Sequence, residues 1–336
     1  MPGPRLFFLG VVVSAAANVG FAAFATDATM ALPFRFLTGA GIAAVYPVAV
    51  KLLAGWFRRG RGLAIGVLIG ALTVGSALPY LIRALGALAG ADWHGLVIAT
   101  SVVALVGGIL VLVLGRTGPL DTPASRFSPA IAAAAFRSGS VRLANIGYLG
   151  HMWELYAMWT WVPAFIAASF AASGNRDAGG AALAAFTVVA SGGIGCVAAG
   201  GLADRLGRTT LTIAAMAMSG ASALAVGFAF GGSTIVLLAI CIVWGITVVA
   251  DSAQFSAAIS ELSPAGTAGS ALSVQLASGF VLTGVTIIGI GLIGPTDGTA
   301  WRIAFGSLAL GPLVGVVAMW RLRRRPDAAL MAGGRR

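Results

Sequence analysis

Five ionisable residues stand inside long apolar stretches of this 336-residue chain: Arg35, Lys51, His151, Glu154 and Asp251. A charge at the centre of a membrane helix costs about 2.5–3.5 kcal/mol or more, so each is a functional candidate. His151 and Glu154 lie three positions apart, on one face of a helix. Histidine titrates near neutral pH, so such a pair can carry a proton, or it can satisfy itself and glue helices together. Asp251 and Gln254 repeat the spacing and are read as a site pair or a structural pair. Arg35 can draw an anion inward or anchor its helix at the headgroups, and Lys51 can snorkel to the interface.

The elements that carry these residues are membrane helices. The chain is 59% hydrophobic and 9% charged, with a mean hydropathy of +0.97. A soluble domain carries about 25% charged residues, so a water-facing globule, a disordered chain and a secreted disulfide scaffold are excluded. A bilayer core about 30 Å thick needs roughly 20 apolar residues per helix. Ten runs meet that length, at about 6–25, 32–57, 62–85, 95–115, 143–170, 179–201, 209–230, 233–258, 268–293 and 300–320. Arg5 and the first run also resemble a signal peptide, but the run is too long for an h-region and a second span follows. The stretch 116–142 holds Pro119, Pro123, Pro129 and four arginines and reads as a linker. The expected organisation is a four-helix bundle over 1–115, the linker 116–142, a six-helix bundle over 143–321 and a basic tail over 322–336.

The arginines set the expected orientation. With the N-terminus inside, sixteen basic residues fall in inner loops and tails and three, Arg83, Arg176 and Arg302, fall outside. Both termini are therefore expected in the cytoplasm, in a multi-pass plasma-membrane protein. The net charge of +11 belongs to this topology, and no nucleic-acid partner is expected. Cys196 and Cys241 sit in apolar runs and read as inert thiols. No metal and no cofactor is expected.

An internal repeat is visible in spacing. Trp93 opens the fourth run and Trp301 the tenth, 208 positions later. That shift lays the last four runs on the first four and brings Asp251 over Tyr46 and Pro47, which makes Tyr46 a second candidate beside Arg35. Pro47, Pro79 and Pro163 are expected to kink their helices.

Two motifs carry a family resemblance. Gly200, Asp204, Arg205, Gly207 and Arg208 form G-x-x-x-D-R-x-G-R between the sixth and seventh runs. Its glycines permit a tight turn and close helix approach. Its Asp can meet a helix N-terminus, and its arginines can pair with acids or headgroups. Glu261 follows the eighth run as a partner for Arg205 or Arg208. Arg35, Gly39, Gly41 and Ala43 form R-x-x-x-G-x-G-x-A. The first motif resembles the loop that the major facilitator superfamily carries between its second and third helices and again between its eighth and ninth. The second resembles that family's fourth helix. The chain thus looks like helices three to twelve of a twelve-helix, all-α polytopic fold. This implies a miscalled start codon or a truncated gene, and it leaves open a truncated remnant that transports nothing.

The resemblance implies a monomeric secondary transporter working by alternating access on a small molecule in the lipid bilayer. The mixed cavity charge points to proton-coupled uptake of a small anion or organic acid. A drug or metabolite efflux antiporter is the alternative, weakened because the third run, Gly66 to Gly75, lacks a Gly-Pro pair. An enzyme is not expected: neither a phosphate-binding G-x-x-x-x-G-K-[ST] loop nor a His-Glu-x-x-His run is present.

Overall fold

The computed structural model describes residues 1–57, 61–85, 93–120, 128–264 and 267–335. Arg58, Arg59, Arg126 and Arg336, counted above among the inner-loop and tail arginines, lie outside them. The described chain is helical throughout: α1 (Gly3–Phe24), α2 (Ala28–Ala43), α3 (Tyr46–Ala54), α4 (Arg61–Ala84), α5 (Trp93–Leu114), α6 (Pro129–Ala135), α7 (Gly139–Ala172), α8 (Ala178–Leu206), α9 (Arg208–Val226), α10 (Thr234–Ala250), α11 (Ser252–Leu262), α12 (Ala268–Ile293), α13 (Gly298–Leu308) and α14 (Leu310–Arg323). A short 3-10 segment, Pro326–Gly334, follows. Among the described residues ten spans are long and apolar enough to cross a membrane, one for each apolar run of the sequence.

Three of those runs are interrupted, and proline explains two. A proline lacks the N–H for its own helical bond and its ring displaces the carbonyl four residues earlier. Pro47 lies four residues after Ala43, where α2 ends, and Pro312 four after Leu308, where α13 ends. Each helix restarts with the proline in its first turn, where a missing N–H costs nothing. Pro79 and Pro163 sit inside the continuous helices α4 and α7. The third break has no proline: α10 ends at Ala250, Asp251 caps it, and α11 restarts at Ser252. Tyr46, which opens α3, and Asp251 are the pair the repeat overlays, so the second and eighth runs are interrupted at equivalent places. Three other acids are N-caps that bond through their side chains. Asp27, Asp177 and Asp297 accept from the first free backbone N–H groups of α2, α8 and α13.

Within the stretch read as a linker, Pro129–Ala135 form α6. Ser128 caps α6, and α7 begins at Gly139, a full turn before the apolar run itself.

The chain forms two compact units. The first takes Met1–Ile65 and Leu85–Pro123. In it α1 packs on α2 and α5. Gly10 faces Gly41, and the Ser14 hydroxyl donates across to the Thr38 carbonyl. The second unit takes Gly66–Ala84 and Ala124–Arg336. Here α7 is central and touches α8, α11, α12 and α14, while α8 and α9 both pack on α10. Near its far end Phe165, Trp244, Trp301 and Phe305 form an aromatic cluster with centroids 5.0–5.2 Å apart.

Small residues set these distances, because lipid offers no hydrophobic drive for helix association and contact must come from close packing. A Cβ on Gly245 would run into the Val188 carbonyl and the Ser191 hydroxyl, whereas one on Gly289 of α12 would meet nothing within 4 Å. Gly245→Val is therefore expected to cost roughly 1–3 kcal/mol by overpacking. Gly289→Val is expected to be neutral. Thermal melts of the two detergent-purified variants, followed by tryptophan fluorescence, check the contrast.

Candidate functional site

The second unit holds most of the residues singled out in the sequence, in two adjoining networks. The first centres on α7. Glu154 is 2% exposed. Its Oε1 accepts from the Trp244 indole N–H at 2.6 Å and its Oε2 from the Ser219 hydroxyl at 2.8 Å. The one carboxylate thereby ties α7 to α9 and α10. One turn earlier, His151 Nδ1 lies 2.9 Å from Asp251 Oδ1, and both side chains are buried. The contact is close but not aligned as a hydrogen bond, and His151 Nε2 has no hydrogen-bond partner. Phe255 and Tyr148 wall the imidazole, with centroids at 5.6 and 6.2 Å.

This arrangement corrects the expected pairing of His151 with Glu154. The i, i+3 spacing brings both onto adjoining turns of α7, but each side chain finds its partner on another helix. Asp251 stands at the junction of α10 and α11, and its carboxylate meets the imidazole of α7. Asp251 and Gln254 likewise part company. Gln254 Oε1 accepts from Arg208 Nη1 at 2.7 Å.

The second network centres on Arg208, the last residue of the loop motif. Its guanidinium makes a two-pronged bond to Glu261, Nε to Oε2 at 2.7 Å and Nη2 to Oε1 at 2.6 Å. The planar fork of arginine matches a carboxylate in this way, which a lysine ammonium cannot. Together with Gln254, the fork clasps the start of α9 to both ends of α11. Of the two arginines offered to Glu261, Arg208 is the buried one that meets it, and Arg205 is exposed. The turn that delivers Arg208 rests on Gly207, whose φ of +89° an L side chain rarely adopts. Gly207 is also the N-cap of α9, so that position is not taken by Asp204, which lies in the last turn of α8 and whose carbonyl accepts from Arg335. Gly200 is buried in α8, where a Cβ on Gly66 of α4 would come within 3.3 Å of its Cα.

Arg35 and Tyr46 belong to the first unit. Arg35 donates to Asn18 Oδ1 at 3.2 Å and lies 3.7 Å over the Phe21 ring, so α1 holds it by a hydrogen bond and a cation–π contact. Tyr46 is half-buried at the start of α3, and exposed Lys51 sits in that helix's last turn.

Asn18, Ser219, Trp244 and Gln275 were not singled out in the sequence. Trp244 and Ser219 sit in apolar and small-residue runs where nothing local marks them as carboxylate partners. Gln275, fully buried on the face of α12 toward α7 with both amide atoms unpaired, is detectable as a lone amide in an apolar span. Cys196 and Cys241 are free and buried. Among the described residues no group of three His, Cys, Asp or Glu side chains converges to hold a metal.

The described chain is an all-helical polytopic bundle with ionisable groups built into its interior. The sequence model of the Major Facilitator Superfamily matches residues 2–286, and the chain belongs to that family. It is similar to the MFS-type transporter pytF of Aspergillus terreus (strain NIH 2624 / FGSC A1156), with 26% identity over 179 residues, 51% of this chain and 56% of that protein. The chain thus spans just over half the length of this curated relative. In fold it is similar to the MFS transporter FucP, solved in the outward conformation, with a TM-score of 0.65 at 14% identity over 96% of this chain and 82% of that one.

Removing the indole donor leaves one oxygen of a buried carboxylate unpaired. Trp244→Phe is expected to cost roughly 1–3 kcal/mol. Thr247→Val, half-buried on the same helix and bonded only to backbone carbonyls of its own turn, is expected to stay within about 0.5 kcal/mol. Melts in the same detergent compare the two.

Proposed function

We propose that this chain is a secondary transporter that works by alternating access and takes up a small anion or organic acid together with protons. The observation that carries the reading is the buried contact of His151 with Asp251 at the break between α10 and α11. An imidazole and a carboxylate at 2.9 Å can share one proton, and a proton gained or lost there changes the charge of a site with no water to compensate. A helix interrupted beside the pair lets that change alter the angle of α11 against α10. Glu154, held by two donors one turn away, adds a second carboxylate to the same interior. Arg35 supplies positive charge for an anionic substrate. The Arg208–Glu261 clasp serves as the latch of the gating loop formed by Gly200, Asp204, Arg205, Gly207 and Arg208. The arginine asymmetry supports cytoplasmic termini in a plasma membrane, and the protein is proposed to act as a monomer.

The test is flux in proteoliposomes loaded with a pH-sensitive dye, under an inward proton gradient, with nitrate, lactate and succinate as probes. At least one probe is expected to speed internal acidification. Asp251→Asn and Glu154→Gln are each expected to slow it roughly ten-fold or more, which corresponds to about 1.4 kcal/mol or more of lost coupling. Unchanged flux in both variants would remove the coupling assignment. Proton exit on addition of a lipophilic cation would replace uptake by efflux.

A further inference from the structure

The segment after the last span is seated on the Arg208 network. Asp327 Oδ2 accepts from the Ser140 hydroxyl at the start of α7 at 2.6 Å. Ala328 and Met331 are fully buried, in the same apolar core as Phe255, Ile259 and Leu262 of α11. Leu330, between them, is 62% exposed, so one face of the segment is covered and the other is open. The Ala332 N–H donates to Glu261 Oε2 at 3.2 Å, the oxygen that also accepts from Arg208 Nε. Arg335 reaches the Asp204 carbonyl in the loop motif. Just before that arginine the backbone passes through three consecutive left-handed residues, Ala332 at φ +48°, Gly333 at +65° and Gly334 at +94°. An alanine keeps a positive φ only where its surroundings hold it, and here the burial of Met331 and the bond to Glu261 do so.

The contacts are therefore anchored at two ends. Ser140–Asp327 fixes the start of the segment to α7, and Ala332–Glu261 joins its end to the ion pair between α9 and α11. We propose that residues 326–335 are a strap over this clasp, and that the strap lifts before Arg208 and Glu261 can separate. A segment that only plugged an apolar surface would need neither anchor. The inference rests on the alternating-access reading for its purpose, but not for its test.

Both native cysteines are buried, so a cysteine placed in the segment is labelled selectively by a maleimide. Met331→Cys is compared with its exposed neighbour Leu330→Cys in the detergent-purified full chain. Met331→Cys is expected to react about ten-fold more slowly or less, because it reacts only when the segment opens. In Ser140→Ala and in Glu261→Ala backgrounds the two rates are expected to converge. Glu261→Met, which has no oxygen to accept the Ala332 N–H, carries the same expectation if Glu261→Ala is not recovered monodisperse. Equal rates in the unaltered background would overturn the strap, and a slow Met331→Cys rate unmoved by the Glu261 change would overturn its tie to the clasp. The labelling requires no substrate, so a chain without flux in vesicles leaves this result standing, and failed labelling leaves the transport reading standing.

Discussion

A carboxylate inside an apolar helical bundle has no water to turn to, so its burial is tolerated only where the protein supplies every donor it needs. Glu154 is the clearest case. Its two oxygens are filled from two helices, by an indole and a hydroxyl, and the three backbones are thereby held in one arrangement. Trp244 is then more than a filler of the aromatic cluster: it joins that cluster, through Phe305, to the polar interior. The arrangement of α7, α9 and α10 follows from this requirement as much as from apolar contact.

The same requirement is met differently one turn away. His151 and Asp251 face each other closely without an aligned hydrogen bond, and the imidazole's second nitrogen is unpaired. Both oxygens of Glu154 thus have donors, whereas His151 Nε2 and Asp251 Oδ1 have none. Buried polar groups left incomplete are costly. Here the unfinished pair coincides with the one helix break that no proline explains.

At the far end of α11 the charges are fully matched. Arg208 is enclosed by Glu261 and Gln254, and Glu261 is touched in turn by the backbone of the terminal segment. Close helix approach makes such networks reachable. Glycines at positions such as 66, 192 and 245 let carbonyls of neighbouring helices come within contact distance, and Gly207 turns the chain so that Arg208 enters the bundle instead of facing outward.

The ten spans, the all-helical class and the family were legible in the sequence, because apolar run length and the D-R-x-G-R loop are local properties of the chain. The proline breaks at Pro47 and Pro312 are equally local, since a missing N–H and a ring clash act within one turn. That Glu261 would seek an arginine was also readable, since only two stand in the loop motif. Partner choice inside the bundle was not. Spacing placed His151 with Glu154 and Asp251 with Gln254, but each side chain reaches across to another helix. Those distances are set by helix packing and by a backbone break with no sequence signal. The seat of residues 326–335 belongs to the same category: a basic tail reads as solvated, and only the folded surface of α11 offers Ala328 and Met331 an apolar site and Ala332 an acceptor. Sequence determined which groups must be buried; tertiary structure decided what each of them meets, because a buried charge takes whichever donor the packed backbones bring within reach.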